Sequence, residues 1–168
     1  ALGLIEKQSS KQVESRTLFV TSYFINHWKE PIRETLAPLL EGYKKGLETG
    51  DLEFASLSAF IYSSNSYIAG IELSKVESEM GKYCDAINRL NQNTMHIYQK
   101  ISQQVVLNLI GKSEDPCSLV GASYNQHEML ETHQEANDVN GLFFNYFHGI
   151  VLNYLFDMPT GKAIAESA

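Results

Sequence analysis

A chain of 168 residues, 43% hydrophobic and 20% charged, has the length of one domain and enough apolar side chains to bury a core, so disorder is excluded. Its 13 basic and 20 acidic residues give a formal charge of −7, which disfavours duplex nucleic acid and anionic membrane surfaces as broad partners. No run approaches the ~18–20 apolar residues of a bilayer span, and two cysteines, Cys84 and Cys117, do not make a disulfide scaffold. The expectation is one all-α domain over 1–168, cytoplasmic, with reduced thiols.

The opening Ala1-Leu2-Gly3-Leu4 lacks the basic region and cleavage site of a signal peptide. From Ser10 to Trp28 apolar residues keep to one side, which predicts a first helix with Ser9 or Ser10 as cap. Pro31 suits a first turn, and Ile32 to Leu47 follow at helical spacing; Pro38 predicts a kink or a helix that starts there. Gly50 is the stop and Asp51 the cap of the next helix, Leu52 to about Ser63, with Ser63-Ser64-Asn65-Ser66 as a turn. A helical stripe then runs from Ile71 to Leu109, with breaks expected at Gly81 and Asn91–Thr94. Gly111–Pro116 reads as a loop, 118–136 as a loop with one short helix, and Val139–Phe156 as a strongly apolar helix. Asp157–Thr160 turns the chain into a final run, Lys162–Ala168, that has no terminating Gly, Asn or Pro. That run reads as the edge of a segment from a longer protein. About seven helices in antiparallel pairs result, arranged as a tetratricopeptide-like right-handed superhelix or an irregular bundle.

A tetratricopeptide unit needs an aromatic late in its first helix and a small residue early in its second, where the backbones approach closely. Phe147, Val151 and Tyr154 followed by Ala163 have that spacing, and Gly50-Asp51 followed by Ala55 supplies the turn and small residue of another unit. The second case departs from the pattern by carrying Gly46 in place of the aromatic.

His27-Trp28-Lys29 and the block from Leu39 through Gly42-Tyr43-Lys44-Lys45-Gly46 to Ala55 are more specific than any periodicity. So are Gln103–Gly111 and Tyr154-Leu155-Phe156. Over most of 17–163 the chain resembles the helical region of very large bacterial signalling proteins, common in cyanobacteria. In those a serine/threonine kinase domain, an AAA-like ATPase module, a helical region, a GAF domain and a sensor histidine kinase follow one another. The resemblance implies a non-catalytic connector or regulatory scaffold, with other domains of the same chain or other signalling proteins as partners. The family's kinase, nucleotide-binding and phospho-acceptor residues have no counterpart in this segment.

Accordingly no catalytic, cofactor-binding or metal-ligating residue is assigned. A GxxxxGK[ST] loop and the kinase motifs are absent from the sequence. His127, Glu131 and His133 imitate a zinc-protease motif, but the second histidine lies six rather than four positions on, about 120° away from the first. His148 among Phe143, Phe144, Tyr146, Phe147 and Tyr154 raises the alternative of a small-molecule sensor with an aromatic pocket; a packed core or seam is the plainer reading. Trp28 beside His27 has the same two readings. Cys84 and Cys117 read as inert thiols. Phe60, Tyr62, Tyr67, Tyr83, Tyr98 and Tyr124 are placed near a repeat groove, and Glu41–Lys45 and Glu72–Lys75 as surface pairs. The apolar C-terminal helices predict homodimerisation.

Overall fold

The computed structural model describes residues 11–157, 159, 160 and 166. The final run Lys162–Ala168, Ala163 included, falls outside them except for Glu166, as do Ser9, Ser10 and the opening residues. The described residues are all-α, with seven α-helices and a single isolated bridge, Val120 to Asn125. The chain divides into two compact units, Ala1–His96 and Ile97–Ala168.

In the first unit α1 (Lys11–Val20) does not run on to Trp28 as expected. It gives way to a π turn, Thr21–Ile25, closed by Asn26 N–H donating to Thr21 O, and then to a 3-10 turn, Asn26–Trp28. Thr17 and Thr21 hydroxyls donate to carbonyls of Val13 and Thr17, four residues back (2.8 and 2.7 Å). Such back-bonding loosens and bends a helix. After the 3-10 turn Ile32–Thr35, α2 (Leu36–Thr49) begins just before Pro38, which sits in the first turn, where no N–H is required.

Gly50 ends α2 at φ 75°, a left-handed conformation that suits glycine. Asp51 opens α3 (Leu52–Ile68), yet its carboxylate does not cap the helix; it accepts from Arg16 Nε at 2.7 Å. The Ser63–Ser66 turn is corrected, because α3 continues through it. Ser63 and Ser66 hydroxyls donate to carbonyls four residues back, and Asn65 Nδ2 donates to Thr35 Oγ1 at 2.9 Å. These polar side chains therefore find partners without leaving the helix. α2 and α3 run antiparallel with their small residues face to face. A Cβ on Gly46 would lie 2.8–2.9 Å from Ala55, and one on Gly42 3.0 Å from Ser58 Oγ. Gly46 is thus the close-approach residue of this hairpin. A ring at that position would force the helices apart.

α4 (Leu73–Arg89) passes through Gly81 without a break, and the stripe is interrupted only at Leu90–Gln92, where Asn91 has φ 57°. Val76, Met80, Cys84 and Ile87 form its buried stripe. Tyr43, Tyr62 and Tyr83 meet edge to face, with centroids 5.4–5.6 Å apart, and burial pushes the Tyr83 hydroxyl up to about 12. These tyrosines pack on each other instead of lining a groove. Lys45 stands 3.8 Å from Glu41, as expected, and equally close to Glu14 and Glu48. Glu72, in contrast, accepts from Ser74 Oγ at 2.6 Å.

The boundary between the units falls in the first turn of α5 (Asn93–Leu109). In the second unit, α5 is followed by the 110–125 loop, α6 (Gln126–Glu135) and α7 (Val139–Phe156). The loop is held by amides of α5. Asn108 Nδ2 donates to the carbonyls of Ser118 (2.6 Å) and Pro116 (3.1 Å), and Gln104 Oε1 accepts from Ser123 N and Tyr124 N at 3.0 and 3.2 Å.

Candidate functional site

α7 is built inside out. Its sequence, VNGLFFNYFHGIVLNYLF, contains no Asp, Glu, Lys or Arg. Its buried residues are Gly141, Asn145, Leu152 and Asn153, whereas Val139, Phe143, Tyr146, Phe147 and Tyr154 are exposed, Val139 at 73% and Phe143 at 56%. The helical period places these five, with half-buried Ile150, on one stripe. The usual amphipathic arrangement is partly reversed: Asn145 and Asn153 are buried beside Leu152, while four rings of the stripe, together with Leu155 and Phe156, are exposed.

The reversal has a structural cause. Asp138 caps α7, accepting from Gly141 N at 3.0 Å. The same carboxylate accepts from Tyr98 Oη and pairs with His133 Nδ1 at 2.7 Å. His133 Nε2 lies 3.1 Å from Tyr124 Oη, which accepts from Asn145 Nδ2 at 2.8 Å. The donors and acceptors close if His133 carries its proton on Nδ1 and Tyr124 donates to Nε2. Farther along, Asn153 Nδ2 donates to Cys117 O (3.1 Å), tying α7 to the loop. Buried polar groups must be partnered or they cost stability. Asn145 and Asn153 are accordingly held inward through their Nδ2 groups, although Asn145 Oδ1 is buried without a partner.

Charge follows from this geometry. Burial pushes the Asp138 carboxyl up, but hydrogen bonds from Tyr98, Gly141 and His133 outweigh it and hold the group below its ordinary value. The Tyr98 hydroxyl is raised, first by burial and then by Asp138. A chain Tyr124–His133–Asp138 has the components of an acid–base relay. His133 is only 2% exposed, and the chain ties the 110–125 loop and α6 to the start of α7, with the Asp138 side chain 21% exposed.

The sequence-predicted candidates fall out differently. His127 and Glu131 are exposed on α6 while His133 points inward, so the zinc-like trio is not brought together. Tyr98 and Tyr124, expected near a groove, are buried members of the network. Phe60 is buried, and Tyr67 is partly buried with its hydroxyl raised by that burial. Cys84 is buried; the Cys117 thiol is pushed up by burial and then by Asp115 and Asp157, opposite to what a nucleophile needs. Sequence reasoning missed the network because its members are scattered from Tyr98 to Asn145. The available signal was Asp138, a helix cap five residues after His133.

His148 stacks on Phe144 at 6.4 Å and 19°, meets Phe147 edge-on at 5.2 Å, and leaves Nδ1 without a hydrogen-bond partner. Burial lowers it from 6.5 to about 4. As pH falls from 6.5 toward 4 the unfolded chain takes up a proton that the folded chain refuses, so stability declines across that window and levels off below it. The expected loss is about 2 kcal/mol at pH 5. His148→Phe should flatten this slope in urea unfolding at pH 7 and pH 5; an unchanged slope would assign the acid sensitivity to another group.

Among the described residues no helix is long and apolar enough to cross a membrane, and no group of three metal-ligating side chains is assembled. No family model matches the chain, and no curated protein or solved structure is significantly similar to it.

Proposed function

We propose that this chain is a non-catalytic helical interaction module, a scaffold or regulatory connector of a multidomain bacterial signalling kinase, working through helix-on-helix contacts. The observation that carries the reading is the uncharged aromatic stripe of α7, turned outward by the inward-facing asparagines. Four half-exposed rings, at roughly 200 Å² per ring, together with Val139 and Ile150 offer on the order of 500 Å². That lies near the upper end of the largest patch a soluble monomer leaves open.

An identical uncharged stripe is the natural complement, since a chain of charge −7 meets its own copy without repulsion only where charge is absent. A two-fold pairing of α7 with α7 satisfies this. The area falls short of the ~800 Å² per partner of a standard stable interface, so the pairing is concentration-dependent. The connector role in a signalling kinase rests on the sequence resemblance described above. The pocket reading around His148 is less favoured, because Phe143, Tyr146, Phe147 and Tyr154 face outward.

The non-catalytic half of the reading is tested by incubating the purified chain with ATP and a generic protein substrate. Background phosphate release and no phosphoprotein are expected; robust turnover that co-purifies with the chain would overturn it.

A further inference from the structure

The stripe of α7 has a second regularity, in the spacing of its residues. Val139, Phe143, Tyr146, Phe147, Ile150 and Tyr154 follow one another at steps of four, three, one, three and four. The pattern reads the same from either end of the helix, about a midpoint between Tyr146 and Phe147. Phe143 and Phe147 stack at 5.6 Å and 15°, so the middle of the stripe is a preformed ridge that loses little freedom on docking. Leu155 and Phe156 are exposed as well, but they lie about 130° round the helix from the centre of the stripe, outside the ridge.

Such a stripe fits its own copy reversed. Turned about a two-fold axis through the midpoint, α7 lies antiparallel to a second α7. Val139 then meets the partner's Tyr154, Phe143 the partner's Ile150, and Tyr146 the partner's Phe147. Every layer holds a ring, and the outer layers set a ring against a smaller aliphatic side chain, so the facing surfaces interdigitate at even separation. A parallel pair sets each residue against itself. Rings would then crowd rings at Phe143, Tyr146, Phe147 and Tyr154, while Val139 and Ile150 met only their own kind.

Charge separates the two arrangements further. Asp157 is exposed, and the helical period puts it on the side of Val139 and Tyr146. Parallel helices would bring it against its own copy. In the antiparallel pair it falls at the N-terminal end of the partner's α7, where the helix dipole favours a negative charge. Asp138 at that end is already engaged by Gly141 N, Tyr98 and His133. We infer that two copies of this chain pair with their α7 helices antiparallel, centred between Tyr146 and Phe147. This orientation and register rest on α7 being the associating surface proposed above.

Disulfide trapping tests the orientation and leaves the middle of the stripe intact. Val139→Cys and Tyr154→Cys are made in separate chains, each on a Cys117→Ser background, the remaining Cys84 being buried. Both substituted residues are exposed, and circular dichroism verifies the fold. The two chains are mixed in equal amounts in a glutathione redox buffer, where disulfides exchange to equilibrium. Antiparallel pairing brings the two new thiols within disulfide reach, so mixed dimers should outnumber like dimers at least tenfold. An excess of like dimers overturns the inference in favour of a parallel pair. An even division between mixed and like dimers, or no linked dimer at all, overturns it too. If the wild-type chain still dimerises in sedimentation, a different surface or register is then responsible; if it stays monomeric, the reading of α7 itself has failed.

Discussion

Replacing Gly141 by alanine is expected to cost about 4 kcal/mol and to leave the second unit largely unfolded at physiological temperature. The added methyl would collide with His133 Nδ1 and Cε1 and with Asp138 Oδ2, well inside contact distance. These atoms form the His133–Asp138 pair, so the clash cannot be relieved without parting that part-buried hydrogen bond. Asp138 would also lose its cap on Gly141 N, worth about 1 kcal/mol. Chemical denaturation followed by circular dichroism and by tyrosine absorbance measures the loss. Adding His133→Ala to Gly141→Ala should recover part of it, because the colliding ring is then gone. A Gly141→Ala chain as stable as the parent would mean that the network does not hold α7 in place.

The second large effect is expected at the α2–α3 hairpin. Gly46→Ala would set a Cβ 2.8–2.9 Å from Ala55 Cβ, Cα and N. Two of those three atoms are backbone, so the helices must separate, at a cost of about 3 kcal/mol. Gly42→Ala meets only the Ser58 hydroxyl at 3.0 Å and Leu18 Cβ at 3.4 Å; side chains can yield, and about 1 kcal/mol is expected. Urea unfolding of the two variants side by side tests the difference. Equal costs would argue that the helices do not meet at Gly46 and Ala55.

Much of the fold is legible in the sequence because its signals are local. Gly50 stops α2, Asn91 and Gln92 of the expected Asn91–Thr94 break separate α4 from α5 while Asn93 and Thr94 already belong to α5, and the bounds of α7 follow from its apolar run. Misreadings arise where a polar side chain has an alternative to water. Ser63, Asn65 and Ser66 resemble a turn, yet they bond carbonyls of their own helix or Thr35 and leave α3 unbroken. The reverse occurs in α1, whose apolar pattern continues while Thr17 and Thr21 end regular helix at Val20.

The candidate surface is harder to read for a different reason. Hydrophobicity identifies α7 as apolar, but periodicity cannot say which side turns inward when rings occur all round. Orientation is decided by Asn145 and Asn153, whose partners Tyr124 and Cys117 lie more than twenty residues away. The Gly46 position is the instructive intermediate. The sequence marks it as a departure from the tetratricopeptide pattern, and only the distance to Ala55 reveals it as the point of closest helix approach.

The stripe of α7 is tested most directly by sedimentation equilibrium of the chain and of its Phe143→Lys/Phe147→Lys variant. Both substituted residues are about half exposed and outward-facing, so the fold should survive, which circular dichroism verifies. The wild-type chain should pass from monomer toward dimer as concentration rises from micromolar to millimolar, and the variant should remain monomeric throughout. A wild-type chain that is monomeric across that range, or a variant that dimerises equally well, would contradict α7 as the associating surface.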